Sequence, residues 1–429
     1  METPAAPATL DALVADASVY AFAVHDLART RWNATQNEAN PARFDVNTLS
    51  HARRLLDHRD RWITMPNNDT LYSIAWIDLS AGPVTFAYPA MGERYYSFAF
   101  LDPWTENAAL VSRRTHGGDA RTLWLAPPDW AGEAPAGVTA LRMAANDVWL
   151  LGRVLIDGAP DLPAVFALQE AMRLDAPAGA ARRWATVPDE RDPRSFLALA
   201  NEALGRNPVP ARDAALLERC AAVGLAPGAV DAWATLAEPV REAWVRGMAE
   251  LRQRLRPGDP ARRSQVGPNW YSGLDHIGRF GEDHGYRSMI SLLGLGALPR
   301  EEAIYATCAQ TADGTRLEGA TPCTLTVPAD LPVGAFWSLS MYRMEPDGRG
   351  FYVDNPIDRY TIGDRTTGIE READGSLVIR LQHDAPADAR GRANWLPAPE
   401  GRYVLNWRLY EPGASLIDRS RPLPGVVRA

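Results

Sequence analysis

Lysine is absent from the chain, so all 45 basic residues among its 429 residues are arginines. Schiff-base lysines, Walker A phosphate loops and Ser-Lys dyads each need a primary amine, so these classes of site are excluded. Codon bias in an Arg-, Ala- and Pro-rich genome is the favoured explanation for the absence of lysine, and the exclusion holds whatever the cause. The arginines are scattered among 53 acidic residues, with a formal net charge of −8. We therefore expect neither a nucleic-acid partner nor a membrane partner.

Cysteines and long apolar runs are also scarce. The three cysteines, Cys220, Cys308 and Cys323, are odd in number and lack CxxC spacing, which argues against a disulfide framework or a structural zinc site. No run of 18 apolar residues occurs, and the opening residues METPAAPATLDALVADA lack the cationic and apolar parts of an export signal. The sequence therefore predicts three unbridged thiols and a cytoplasmic protein.

The period of the apolar residues changes several times along the chain. Residues 8–32 repeat at helical steps, whereas 70–156 contain short aromatic and β-branched runs separated by Gly, Pro and Asp turns. A helical rhythm returns between 160 and 309, and strand-like runs resume from 317 onward. This pattern predicts a mixed, mainly β fold of two antiparallel, jelly-roll-like β-sandwich modules joined by a helical segment. The predicted domains are 1–158 (N-terminal helix and first sandwich), 159–309 (helical connection) and 310–429 (second sandwich).

Several long motifs resemble a bacterial two-module family. "MPNNDTLYSIAWIDL" and "GERYYSFAFLDPWTEN" resemble domain of unknown function 1254, and "LPVGAFWSLSMY", "NPIDRYTIGDRTTGI" and "NWLPAPEGRYVLNWRLYEP" resemble domain of unknown function 1214. The resemblance covers residues 10–155 and 300–425 and implies paired jelly-roll-type sandwiches joined by helices, with no established general reaction. Many relatives carry an export signal that this chain lacks. His284 and Cys323 stand where the family leads us to expect aromatic residues, which implies a locally altered pocket.

The stretch "MPNNDTLYS" concentrates hydrogen-bonding groups directly before a predicted strand. One interpretation is a turn in which Asn and Asp side chains satisfy backbone amides. The other is a catalytic group in which Asp69 is the base, Arg94 holds it ionised and Tyr96 donates a proton. In that interpretation the neighbouring Asn67, Asn68 and Tyr72 bind substrate.

Alternate residues of the strand that begins near Tyr95 share one face, namely Tyr96, Phe98, Phe100 and Asp102. This face is predicted to line a ligand cavity, with Asp102 as a further catalytic carboxylate. Aromatic packing within a core is the alternative for the same pattern.

Three residues of the C-terminal module, Tyr342, Asn394 and Trp395, are candidates for substrate binding, because aromatic walls with amides bind carbohydrates and flat apolar ligands. The alternative is a structural corner, with Asn394 bonding a turn and Trp395 filling the sandwich.

The segment "DHIGRFGEDH" holds the only metal-ligand candidates that we single out, His276, Asp283 and His284. No third ligand stands at a diagnostic spacing and HExxH is absent, so a divalent metal is the less favoured interpretation and the cofactor is left unassigned.

Two functions fit these residues. The first is a small-molecule enzyme, a hydrolase or lyase, whose apolar or carbohydrate-like substrate lies in a cleft lined by Asp, Arg, Tyr and Trp. The second is a non-catalytic ligand-binding or assembly protein, because each polar motif also has a turn-forming explanation. A homo-oligomer is expected from the high aromatic content, which includes 14 tryptophans.

Overall fold

The fold is mainly β, as predicted, with four sheets among the residues described by this computed structural model, 9–61, 63–179, 181–255, 260–346 and 349–429. In chain order the strands are β1 Ser50–His51, β2 Thr70–Asp78, β3 Val84–Tyr88, β4 Tyr96–Leu101, β5 Asn107–Ser112, β6 Arg121–Ala126, β7 Thr139–Arg142, β8 Asp147–Leu155, β9 Arg173–Asp175, β10 Ser264–Gly267, β11 Trp270–Ser272, β12 Ala303–Cys308, β13 Cys323–Val327, β14 Val333–Met344, β15 Gly350–Phe351, β16 Thr361–Gly363, β17 Leu377–Gln382, β18 Trp395–Pro397, β19 Tyr403–Pro412 and β20 Val427–Arg428.

The helices lie mostly between the two β-rich parts of the chain. They are α1 Leu10–Thr35, α2 Arg113–His116, α3 Leu162–Ala171, α4 Pro193–Arg206, α5 Ala214–Cys220, α6 Ala232–Thr235, α7 Glu238–Arg254, α8 His284–Gly294, α9 Ala389–Ala393 and α10 Ala414–Ile417, with 3₁₀ turns at Ala159–Asp161, Ala211–Asp213, Ala221–Val223 and Pro260–Arg262. Within the described ranges, no helix is both long and apolar enough to cross a membrane.

Two sheets of the N-terminal module face each other across an apolar core. The first has the strand order β1-β2-β8-β4-β5, and the second has the order β7-β6-β3-β9. Alternation along each strand sends one set of side chains inward, among them Leu71, Phe86 and Phe98. The opposite set points away from this core. It includes Tyr72 on β2 and Arg153 on β8, which form a cross-strand pair.

The C-terminal module repeats this two-layer arrangement. Its larger sheet has the order β10-β11-β12-β19-β14-β15, with β16 also paired to β14, and its smaller sheet has the order β18-β17-β13-β20. Leu339 and Trp407 from the larger sheet pack against Ile379 from the smaller one. Cys220, Cys308 and Cys323 are buried and unbridged, which confirms the prediction for the cysteines.

A third core is helical and includes the N-terminal helix. The hydroxyl of Thr9 caps α1 by accepting a 3.2 Å hydrogen bond from the backbone N–H of Ala12. Helix α1 packs against α4, α7 and α8 and buries Tyr20 in the same core as Trp244. Strands β10, β11 and β12 join the C-terminal sheet although they precede residue 310. The domain boundaries and the jelly-roll strand order stay predictions.

The three parts of the chain meet in a fourth apolar cluster. Tyr95 on the outer side of the N-terminal sheet contacts Phe336 and Tyr410 on the outer side of the C-terminal sheet, with ring centroids 5.5 and 5.0 Å apart. Leu27 from α1 and Leu298 from the loop after α8 complete this cluster. We call the contact between these two sheet faces the seam.

Candidate functional site

The stretch that precedes β2 forms a turn and also joins the two modules. The side-chain oxygen of Asn67 accepts a 2.6 Å hydrogen bond from the backbone N–H of Asp69, as the turn interpretation predicts. The amide nitrogen of Asn67 donates to the hydroxyl of Tyr410 in the other module at 3.0 Å. Neighbouring Asn68 is half-buried, and its side-chain oxygen has no hydrogen-bond partner among the described residues. Turn formation and docking are therefore functions of one segment.

The backbone just before this turn is held by the C-terminal sheet. The carbonyl of Pro66 accepts hydrogen bonds from the hydroxyls of Tyr342 and Tyr352 at 2.7 and 2.8 Å. Arg408 donates to the carbonyl of Met65 at 3.0 Å and to the hydroxyl of Tyr342 at 2.9 Å. Tyr342, a predicted substrate-binding residue, therefore lies in the seam, where its hydroxyl contacts protein.

The carboxylate of Asp69 is buried in the seam. Its Oδ2 accepts a 2.6 Å hydrogen bond from the hydroxyl of Ser338, and its Oδ1 lies 3.9 Å from Nη2 of Arg365. The predicted pairing with Arg94 is wrong, because Nη2 of Arg94 donates to Asp161 at 2.8 Å. Arg94 directly precedes β4, and the 3₁₀ turn at Ala159–Asp161 places the carboxylate of Asp161, rather than that of Asp69, within reach of its guanidinium.

Tyr96 faces away from the seam, contrary to the predicted cavity. Its ring lies in the core of the N-terminal sandwich, where it packs on Phe98 with ring centroids 5.3 Å apart. Its hydroxyl donates to the carbonyl of Gly117 at 2.8 Å. Core packing, the alternative for this face, therefore accounts for the pattern, and the neighbouring Tyr95 is the residue that reaches the seam.

Asp102 lies in a tight turn that touches the helical core. Its Oδ1 accepts from the backbone N–H groups of Trp104 and Glu106 at 2.9 and 3.1 Å. Burial and the negative charge of Glu106 raise the pKa of the Asp102 carboxyl to about 7. The carboxyl group of Asp102 therefore titrates near neutral pH, but it contacts backbone N–H groups of its own turn, whereas Asp69 contacts Ser338 in the seam.

Asn394 and Trp395 occupy the structural corner that the alternative interpretation described. The amide of Asn394 exchanges two hydrogen bonds with the backbone of Glu370, at 2.9 and 2.7 Å. The indole N–H of Trp395 donates to the carbonyl of Gln382 at 2.8 Å. Both residues belong with the smaller sheet, so the core of the C-terminal module separates them from the seam.

The metal-ligand candidates do not converge on one point. His276 contacts Asp283 at 3.2 Å, whereas Nδ1 of His284 contacts Arg287 at 2.9 Å and its Nε2 faces Asp213 at 3.6 Å. A ring nitrogen that accepts from a guanidinium is occupied, which accounts for the failure to form one ligand set.

A different group has ligand atoms close enough for a metal ion. In His58, Asp354 and Asp358, one atom of each lies within 4.8 Å of the others. The hydroxyl of Tyr360 already joins two of them, at 2.7 Å from His58 and 3.2 Å from Asp358. Because these hydrogen bonds explain the grouping, we assign no metal here.

Arg153 lies in the seam and was not predicted from the sequence as a site residue. It lies on β8 opposite Tyr72, with its guanidinium carbon 5.5 Å from the centre of that ring, and it is 5% exposed. Its Nη2 donates to the carbonyl of Gly296 at 2.9 Å, and its Nη1 has no hydrogen-bond partner among the described residues. Four tyrosines interact electrostatically with this guanidinium, namely Tyr72, Tyr305, Tyr410 and Tyr95.

The sheet opposite Arg153 also presents polar groups to the seam. Asn406 and Tyr410 share the outer face of β19 with Arg408 by strand alternation, and Tyr305 pairs with Arg408 from β12. The side-chain oxygen of Asn406 is buried without a partner in the described part of the chain. Burial raises the pKa of both Tyr305 and Tyr410, so their hydroxyls remain protonated donors.

Half-buried apolar side chains border the same region. Phe44, Ile74 and Leu295 belong to the seam cluster and keep part of their surface accessible, as do Tyr72 and Tyr305. Apolar walls around a few polar groups are the usual composition of small-molecule sites. The seam therefore contains a cation, phenol donors and an accessible apolar border.

Comparison with known proteins agrees with this two-module architecture. The family described as "Protein of unknown function (DUF1254)" matches residues 46–176, and "Protein of unknown function (DUF1214)" matches residues 302–414. The chain belongs to the family that joins these two modules. Tyr72 and Arg153 lie within the DUF1254 match, whereas Tyr305 and Tyr410 lie within the DUF1214 match. The seam thus draws on both modules of the DUF1254–DUF1214 family.

Two solved structures are similar to this member of the DUF1254–DUF1214 family. The crystal structure of the VPA0106 protein from Vibrio parahaemolyticus has a TM-score of 0.74 at 22% identity, over 98% of this chain and 100% of that one. A putative uncharacterized protein from Burkholderia cenocepacia has a TM-score of 0.46 at 13% identity, over 95% and 87% of the two chains. No curated protein sequence matches the chain. The first likeness shows a shared fold.

Proposed function

We propose that the chain binds a small organic molecule in the seam between its two modules. The observation that carries this proposal is Arg153, a buried cation within an apolar cluster with an unpartnered Nη1 in the described structure. Transfer of a charge out of water is unfavourable unless the charge is compensated, and uncompensated buried charges are typical of functional sites. A bound ligand would supply the missing compensation.

The proposed entrance is the apolar border of Phe44, Ile74 and Leu295. These side chains are half-buried and lie in the same cluster as the tyrosines around Arg153. A molecule entering there would contact an apolar surface first and the polar groups deeper in the seam. This arrangement supports the predicted small apolar ligand more directly than a carbohydrate, since carbohydrates need many polar partners.

A substitution that fills the apolar border tests the location of the site. Ile74→Trp should remove the thermal shifts that a small-molecule library produces with the wild-type protein, because the larger ring occupies the border. The matched control is Val245→Trp on α7, where the side chain is 57% exposed and is not part of the seam cluster. Leu295→Trp provides a second border variant if the first folds poorly. If a folded border variant keeps every thermal shift that the library produces with wild type, the seam is not the binding site.

A hydrolase or lyase reaction on the bound molecule is the second candidate function. It is supported by Asp69, a buried carboxylate whose charge acts on the Tyr410 hydroxyl, since a carboxylate and a phenol together supply a base and an acid. Asp69→Asn should then lower turnover of the identified ligand at least about tenfold, with the melting temperature little changed. Earlier unfolding with full turnover would instead restrict Asp69 to turn formation and docking.

Cellular location and assembly are part of the same proposal. The three unbridged cysteines support a reducing, cytoplasmic environment. The homo-oligomer remains our prediction, and light scattering tests it directly. A mass near the 47.0 kDa of one chain at micromolar concentration would contradict it.

A further inference from the structure

We infer that the molecule bound in the seam is a monocarboxylate with an apolar body, and that its carboxylate is held by Arg153. This inference rests on the proposed small-molecule site and specifies its ligand. A guanidinium presents donors in a planar fork that matches the two oxygens of a carboxylate. In Arg153, one terminal nitrogen holds the loop through Gly296, and the other is left without a partner in the described structure.

The other deeply buried arginines show what Arg153 lacks. Arg31 donates to Asp147, and Arg287 donates to Glu106 at 3.0 Å. Arg408 has no such ion pair with the described residues, but its terminal nitrogens donate to Ser340 and to the carbonyl of Met65 at 2.8 and 3.0 Å. Arg153 is as deeply buried as these residues and has only one protein acceptor among the described residues. Among the buried arginines of the described residues, only Arg153 has a terminal nitrogen without an acceptor, since the unpartnered atom of Arg287 is Nε.

The tyrosines around Arg153 add neutral donors for the same anion. The hydroxyl of Tyr410 accepts from Asn67, which leaves its own hydrogen free to donate. Tyr72 is half-buried, and the guanidinium of Arg153 lies over its ring at 5.5 Å from the centroid. Phenols that donate to a carboxylate share its charge without adding a second cation.

Charge and shape together select the ligand class. One guanidinium balances one negative charge, whereas a phosphate dianion would require further cations, and Arg408 is already engaged by Met65 and Ser340. The border of Phe44, Ile74 and Leu295 offers no charge, so the rest of the ligand must be apolar. A small aliphatic or aromatic monocarboxylate satisfies both conditions.

The experiment compares carboxylates with neutral molecules of the same shape. Sodium benzoate, the sodium carboxylates from propanoate to octanoate, and the corresponding primary amides are titrated into the full chain by calorimetry at pH 7. At least one carboxylate should bind wild type at least about tenfold more tightly than its amide, because hydrogen bonds to charged groups are stronger than neutral ones. Arg153→Met should lower that carboxylate affinity at least about tenfold and leave the amide affinity nearly unchanged.

A surface arginine supplies the matched control. Arg246 in the middle of α7 pairs with Asp11 in the first turn of α1 at 2.9 Å, and both side chains are exposed. Arg246→Met therefore removes the same charge without touching the seam. This variant should retain wild-type carboxylate affinity. If Arg153→Met does not fold, the wild-type protein still provides a test, because carboxylate affinity should fall as pH drops below the ligand's pKa of about 4 to 5, while amide affinity should not.

Each alternative result has a distinct meaning. Equal affinity for a carboxylate and its amide, or unchanged carboxylate affinity in folded Arg153→Met, overturns the carboxylate inference but leaves the seam site standing. Absence of binding by the whole carboxylate series also overturns the inference. Thermal shifts of Ile74→Trp and Leu295→Trp with the small-molecule library then decide separately whether the seam binds any small molecule.

Discussion

Ser338 donates a 2.6 Å hydrogen bond to Asp69 across the contact between the two modules. The donor lies on β14 of the C-terminal sheet, and the acceptor directly precedes β2 of the N-terminal sheet. Both side chains are buried, with exposures of 1% and 4%. A hydrogen bond to a carboxylate in such surroundings is among the stronger ones in proteins, so this pair is an energetic link between the modules.

A double-mutant cycle should measure that link. We expect Asp69→Ala and Ser338→Ala each to lower the free energy of unfolding by about 1 to 3 kcal/mol, because each leaves a buried partner unsatisfied. The double variant should lose less than the sum, with a coupling energy of about 1 kcal/mol or more in urea unfolding. Strict additivity would show that the two side chains do not support each other.

Strand positions were largely predictable because alternation is a local signal. The short strand-like runs predicted between 70 and 156 correspond to β2 through β8, which lie between Thr70 and Leu155. Strand β12 was missed because Ala303–Cys308 follows an acidic, Ala-containing stretch with helical composition. Its pairing with β19, about a hundred residues later, decides its conformation, and no local pattern reports that pairing.

The candidate site was predictable only in part, for a related reason. Alternation correctly separates the Tyr95 face from the Tyr96 face, but which face meets a core depends on the second sheet. Arg94 similarly finds Asp161, a partner that spacing from Asp69 could not reveal. Arg153 had a sequence signal, since it interrupts the apolar run of β8. That no described residue forms an ion pair with it is a property of the tertiary structure alone.

The buried carboxylate Asp147 provides a test of the ion network below the N-terminal sheet. It accepts from Arg31, from Nε of Arg206 at 2.8 Å and from Asn207 at 3.0 Å. Asp147→Asn should lower the free energy of unfolding by about 3 to 5 kcal/mol, because it leaves buried guanidinium groups without their counter-charge. Asp129→Asn, at an exposed turn, is the control and should have little effect.

The same carboxylate should contribute to acid sensitivity. Burial raises the pKa of Asp147, but the charges of Arg31 and Arg206 outweigh burial and hold the pKa below its ordinary value. Its stabilising contribution is therefore present above pH ~4 and is lost as pH falls toward the lowered pKa. Urea unfolding below pH ~4 should show a smaller difference between wild type and Asp147→Asn. A constant difference across that range would contradict this sign.

The loop that holds Arg153 depends on a glycine. Gly296 has a φ of +82°, and a Cβ added there would lie 2.5 Å from Cδ2 of Leu151. Gly296→Ala should lower the free energy of unfolding by about 1 to 3 kcal/mol, because it combines backbone strain with a steric clash. Gly137→Ala is the matched control, since Gly137 has a φ of +81° with nothing within 4 Å of an added Cβ. If both variants lose the same free energy of unfolding, backbone strain alone explains the loss and the predicted clash with Leu151 is wrong.

Asp102 should make stability depend on pH in the direction opposite to Asp147. Burial, followed by the charge of Glu106, raises the pKa of its carboxyl to about 7 in the folded chain, compared with about 3.9 when unfolded. Between these values the folded state binds a proton that the unfolded state does not. The stabilising contribution is therefore complete below pH ~4 and is lost as pH rises through 7.

Asp102→Asn mimics the protonated form and keeps a side-chain oxygen for the backbone N–H groups of Trp104 and Glu106. The variant should match wild type near pH 4 and exceed its free energy of unfolding at pH 8 by an amount on the order of a few kcal/mol. Urea unfolding at intervals from pH 4 to 8 measures both curves. Asp129→Asn again serves as the control, because its carboxylate is exposed and should not change the profile. If Asp102→Asn runs parallel to wild type over this range, the carboxyl of Asp102 is already ionised at pH 4 and the raised pKa is refuted.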